Sequence, residues 1–188
     1  MNAIDLLTQD HQVVRGLFQQ FKSAQEDEDD ARMADIAQQV FDELEVHTTI
    51  EEEIFYPAVR KADEELAESV DEGIQEHHVV KVLMEEIDGL DGGSEAWVAK
   101  MAVLIENVEH HAEEEEKEMF PPLRRPLADK LDAMATQLEA RKSELGAPVL
   151  ADKIDLTKEA LLDLAKEQEI PGRSTMTQEE LAATVAPA

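Results

Sequence analysis

The chain has no cysteine, which excludes disulfides, thiolate zinc sites, iron–sulfur ligation and cysteine nucleophiles. Basic residues are scarce: 17 Lys and Arg stand against 45 Asp and Glu in 188 residues, a net charge of −28. Such a balance repels nucleic acid and anionic membranes and attracts cations, and most of it reads as a solvated acidic exterior. No apolar run approaches the roughly 18 residues of a membrane span. The opening stretch from Met1 to His11 has no basic segment followed by an apolar core, so we expect a cytoplasmic protein without membrane contact. Aromatics are few, at 4%, but 43% hydrophobic residues suffice for one ordinary domain with room for a small second one.

What the chain does have is a repeat. Residues 47–57, HTTIEEEIFYP, return sixty-four positions later as residues 111–121, HAEEEEKEMFP. In each copy a His precedes a Glu by four residues, His47 with Glu51 and His111 with Glu115, and a Pro follows ten residues on, Pro57 and Pro121. Four residues of α-helix advance about 400° and about 6 Å, so each His and Glu stand on one face as a ligand pair. A single such pair is more often a solvated surface pair. A second repeat raises its weight, because the stretch from Asp10 to Arg15 matches that from Glu76 to Lys81 and places His11 opposite His77. The chain is two copies of one unit.

Apolar spacing predicts four long helices. Ile4, Leu7, His11, Val14, Phe18 and Phe21 share one stripe over residues 2–26, so His11 faces a core. The acidic run at 26–30 separates this helix from one carrying Val40, Leu44, His47 and Glu51, which Pro57 should end or kink. Residues 63–88 align His77 with Val70, Ile74 and Met84, and the turn at 91–94 leads to a helix bearing His111 and Glu115 that Pro121 and Pro122 should stop. Short connections make these an all-α, antiparallel up-down-up-down bundle. Counted outward from the turns, the four histidines and two glutamates fall within one to two helical turns of a common level. Two inward carboxylates cost several kcal/mol each unless compensated, and two carboxylates between two pairs of imidazoles suit two metals such as iron, manganese or zinc. The other common bundle pattern, Glu-x-x-His, is absent: the residues three before the histidines are Thr8, Leu44, Ile74, Gln75, Asn107 and Val108.

Over about residues 2–145 the doubled His…His-x-x-x-Glu-Glu…Pro unit resembles the hemerythrin-like, or HHE, cation-binding family. That resemblance implies a four-helix bundle holding two iron ions, a non-haem di-iron centre bridged by two carboxylates and an oxo or hydroxo group. The ligands it implies are His11, His47, Glu51, His77, His111 and Glu115. Oxygen-carrying members of the family have a fifth His one turn from the third-helix ligand, where this chain has Gly73 and Lys81. Fewer protein ligands favour redox chemistry or sensing over oxygen transport. The implied ligand is a small diatomic or peroxide, with a catalase-like or peroxidase-like activity open. The alternative is a non-catalytic iron or oxygen sensor acting through a protein partner.

Two histidines adjoin the proposed ligands. His78 shares a face with Asp71, Gln75 and Glu85, and His110 with Glu106 and Glu114, so both read as rim residues. Glu52 and Glu116 point a further 100° round and read as solvated; Arg15 and Lys81 either neutralise the centre or snorkel to water. Tyr56, aligned with Phe120, reads as core with its hydroxyl near the site. A fifth helix follows Pro122, with Leu127, Leu131, Met134 and Leu138 packing on the bundle and Gly146 closing it. Residues 1–146 form the bundle domain, 147–152 a linker, and 153–188 a small helix-loop-helix unit in which Thr177 and Glu180 make a capping box. This tail resembles SAP-like or Rho N-terminal-like modules, but its acidic balance favours protein docking over nucleic acid.

Overall fold

The computed structural model describes residues 1–147, with Leu162, Lys166 and Arg173 as isolated further positions. Apart from Ala147 and those three residues, the expected linker and tail module lie outside the described residues. Every regular element among the described residues is helical. Helix α1 spans Ala3–Glu26 and starts on a reciprocal cap, in which Asn2 accepts from the Asp5 N–H at 3.2 Å while the Asp5 side chain reaches back. Glu28, at φ 54°, turns the chain into α2, Asp30–Ile50, whose first turn Asp29 caps. After a π-helical turn, Glu51–Phe55, comes α3, Tyr56–Ala62. Asp63 then breaks the helix in extended geometry before a 3₁₀ turn, Glu64–Leu66, and α4, Ala67–Asp88. Helix α5, Glu95–Glu114, is capped by Ser94 and passes through a second π turn, Glu115–Met119, into α6, Phe120–Leu123. Helix α7, Leu131–Glu144, ends on Gly146 at φ 75°, a left-handed closure suited to glycine.

The result is an antiparallel four-helix bundle in which α1 packs along α2 and α4 along α5, with α7 laid across α1 and α2. At Pro57 the helix is disrupted but not ended, one of the two outcomes expected there, whereas at Pro121 and Pro122, where a stop was expected, it runs on to Leu123. Pro57 and Pro121 each sit in the first turn of a short continuing helix, where a missing N–H costs little. The disruption is absorbed just upstream: the Tyr56 N–H bonds the Glu51 carbonyl and the Phe120 N–H bonds the Glu115 carbonyl, five residues back rather than four. Each π turn therefore begins on one of the two repeated glutamates.

The core is two apolar clusters with a polar layer between them. One, with Ile4, Leu7, Phe55, Phe120, Leu131 and Leu138, lies under α7; the other, with Val14, Phe18, Leu44, Trp97 and Leu104, fills the opposite end. His11, between Leu7 and Val14 on α1, stands at the junction. Apolar plugs thus close the layer at both ends of the bundle.

Candidate metal centre

All six residues singled out from the repeat meet in this layer. His11, His47, Glu51, His77, His111 and Glu115 are each 5% exposed or less, and Glu51 is fully buried. His11 Nε2 and His47 Nε2 stand 3.1 Å apart, as do His77 Nε2 and His111 Nε2. The glutamates cross between the halves. Glu51 Oε2 lies 3.2 Å from His47 Nε2 in its own half and 3.3 Å from His77 Nε2 in the other. Glu115 Oε2 lies 3.7 Å from His111 Nε2 and 3.4 Å from His11 Nε2. One oxygen or nitrogen from each of His11, His47, Glu51 and Glu115 falls within 4.8 Å of the others, and the same holds for Glu51, His77 and His111.

The neighbouring histidines separate cleanly. His78 and His110 are exposed, and His110 Nε2 pairs with Glu114 at 3.3 Å on the surface. Glu52 and Glu116, by contrast, do not merely face solvent. Glu116 Oε1 is 2.8 Å from His11 Nδ1 and Glu52 Oε1 is 3.0 Å from His77 Nδ1, while Arg15 and Lys81 hold the same two carboxylates, each at 2.8 Å. His111 Nδ1 finds Glu76 Oε2 at 2.7 Å. A carboxylate on Nδ1 fixes the tautomer and aims Nε2 at the centre. A wheel drawn on one helix cannot show these contacts, because each carboxylate reaches an imidazole on a neighbouring helix; the matching positions in the two repeats are the available signal.

Tyr56 lies closer to the centre than a core residue would. Its hydroxyl donates to Glu115 Oε1 at 2.9 Å and stands 3.3 Å from His77 Nε2. Gly73, one turn before His77, makes room for it: a Cβ there would stand 2.9 Å from the Tyr56 hydroxyl oxygen. The counterpart Phe120 stacks on His11 with centroids 6.0 Å apart and offers no hydroxyl.

The electrostatics follow from burial and crossing. Burial, and then the charge of Glu115, push the Glu51 carboxyl well above the usual carboxylate range. Burial also opposes ionisation of Glu115, but His111, His11 and His47 outweigh it and hold that carboxyl low. Burial alone would lower His11, yet Glu115 and Glu116 raise it from 6.5 to about 9. Burial wins at His47, lowering it to about 4 despite the pull of Asp10. From the protein groups alone, one carboxylate and one imidazolium offset each other. Both Glu51 oxygens, Glu115 Oε2 and His47 Nδ1 nevertheless have no hydrogen-bond partner. Buried carboxylate oxygens left this way cost several kcal/mol unless a cation compensates, and mixed imidazole and carboxylate donors suit a transition metal.

Two openings approach the layer. An apolar cavity bounded by Val14, Phe18, Leu44, Val80 and Val108 reaches all four histidines, with about 20 Å³ open to the centre of a water-sized molecule. A second, with about 50 Å³, runs between Glu72, Gly73, Glu76, Glu114 and Glu118 to His111 and Glu115.

Fold and site together define a helical-bundle protein built around a buried imidazole and carboxylate cation site. The chain belongs to the hemerythrin HHE cation-binding domain family, whose model matches residues 2–123. It is similar to a DNA nickase of Nostoc sp., 27% identical over 146 residues, which is 77% of this chain and 40% of the nickase. The chain thus spans well under half the length of that relative. It is 28% identical over 165 residues to uncharacterised proteins of Mycobacterium tuberculosis and Mycobacterium bovis, covering 84% of this chain and 99% of theirs. No solved structure matches. Among the described residues no helix is long and apolar enough to cross a membrane.

Proposed function

We propose that the chain holds a non-haem di-iron centre and binds or reacts with oxygen, hydrogen peroxide or nitric oxide. His11 and His47 would hold one ion, His77 and His111 the other, with Glu51 and Glu115 shared between them. The observation that carries this reading is the crossed pair of buried glutamates, each facing one histidine of each half and each with an unpartnered oxygen. Bound iron supplies electron transfer and open coordination positions for a small ligand. The chain's own residues do the rest. The apolar cavity over the four histidines has room for a molecule of a few atoms. Tyr56 holds the Glu115 carboxylate through its hydroxyl, and burial raises the Glu51 carboxyl, so a cation held there competes with a proton. The name of the Nostoc relative does not move the reading toward nucleic acid, since a net charge of −28 repels a polyanion.

The test is metal analysis and an optical spectrum of protein produced with abundant iron. About two irons per chain are expected from the six-donor count, with near-ultraviolet charge-transfer absorption that changes on adding peroxide or nitric oxide. One metal per chain, or zinc alone after growth with iron, would overturn the di-iron assignment.

A further inference from the structure

Three of the four inward histidines have a carboxylate on Nδ1: His11 with Glu116 at 2.8 Å, His77 with Glu52 at 3.0 Å and His111 with Glu76 at 2.7 Å. The fourth does not. Asp10, placed by the repeat where Glu76 stands in the other half, is 1% exposed, and its Oδ2 lies 3.7 Å from His47 Nδ1. That is too long for a hydrogen bond, and His47 Nδ1 has no partner. The reason lies on α7. Lys142, the only buried Lys or Arg among the described residues, reaches from α7 to α1 and donates to both oxygens of Asp10. Lys142 also lies beyond the segment that the family model matches, residues 2–123.

A carboxylate that accepts from Nδ1–H makes the imidazole a stronger donor through Nε2, and such partners are worth about 10-fold to 100-fold in metal affinity. By engaging Asp10, Lys142 withholds that support from His47 alone. We propose that Lys142 is a positioning residue that makes the two cation positions inequivalent, leaving the one held by His11 and His47 the more weakly bound. The inference rests on the di-iron reading above. The repeat would otherwise set a carboxylate against Nδ1 of every inward histidine; the fifth helix breaks that pattern at His47.

The experiment loads the full chain with iron, reduces it, and follows release to an excess of a ferrous chelator, with Mössbauer spectra of the oxidised samples alongside. The wild-type chain is expected to release its irons in two equal phases at least about tenfold apart in rate, with two quadrupole doublets. In Lys142→Met the Asp10 carboxylate turns to His47, so the phases and doublets draw together; Lys142→Arg keeps them apart. Because Lys142→Met removes the cation from a buried pair, the double variant Asp10→Asn with Lys142→Met is measured too. It removes both charges of that pair and leaves an amide oxygen at position 10 to accept from His47, so the gap narrows there as well. A single release phase in the wild type, or variants that speed both phases equally with the gap unchanged, would overturn the proposal and leave Lys142 a structural brace. Fewer than two irons in the wild type is a separate failure, of the di-iron reading itself, and is visible before any variant is made.

Discussion

At the scale of single residues, the centre turns on which member of each histidine pair faces inward. His77 and His111 are buried among Val80, Val108 and Tyr56, whereas His78 and His110 are exposed. His77→Ala and His111→Ala are therefore expected to lower iron from about two per chain to one or none, while His78→Ala and His110→Ala retain it. A chain emptied by His110→Ala but filled in His111→Ala would reverse the register of α5. All six inward donors are legible in the sequence, because each is repeated and each shares a helical stripe with apolar residues. The carboxylates on Nδ1 are not. Glu52 and Glu116 stand a step round from the stripe, where an isolated helix offers only water, and their partners His77 and His11 come from other helices. Asp10 and Lys142 are hidden more deeply, since their contact spans 132 positions of sequence.

At the scale of elements, the helices and their order are legible from apolar spacing and from the turns at 27–29 and 91–94. The π turns are not. Proline reads as an end because its ring and missing N–H break an α-helix, but a five-residue step just upstream lets the chain continue to Ala62 and Leu123. Helix α7 packs as its apolar spacing predicts: Leu131, Met134 and Leu138 are buried against the cluster that holds Phe55 and Phe120. At about 2 kcal/mol for each such side chain, their removal costs on the order of 6 kcal/mol, comparable to the whole stability of a small domain. A chain ending near residue 147 is expected to keep its helicity and iron, whereas one ending near residue 130 should lose both. Equal iron content and equal thermal midpoints in the two truncations would show that α7 is dispensable.

At the scale of the whole molecule, the buried charges predict how the metal-stripped protein responds to pH. His11 has a folded pKa of about 9 against 6.5 unfolded, so its proton stabilises the folded chain fully below pH 6.5 and ceases to do so as pH rises through 9. Glu51, raised by burial, acts with the same sign, and His47, lowered to about 4, titrates below this window. Denaturant unfolding should show the stripped protein losing on the order of 3 kcal/mol between pH 6.5 and 9. The iron-loaded protein, whose ligands are already deprotonated, should not. A flat profile for the stripped protein would mean that the His11 proton is not held as described. The crossed glutamates also set an order in time. The first half of the chain contributes His11, His47 and Glu51, but Glu51 completes its pairing with His77 and His11 completes its own with Glu115. A chain emerging from the ribosome therefore holds only a fragment of the cage until Glu115 has been made and the second helical pair has docked. Metal capture is thus postponed until both repeats have been made, and it then fastens the later one to the earlier.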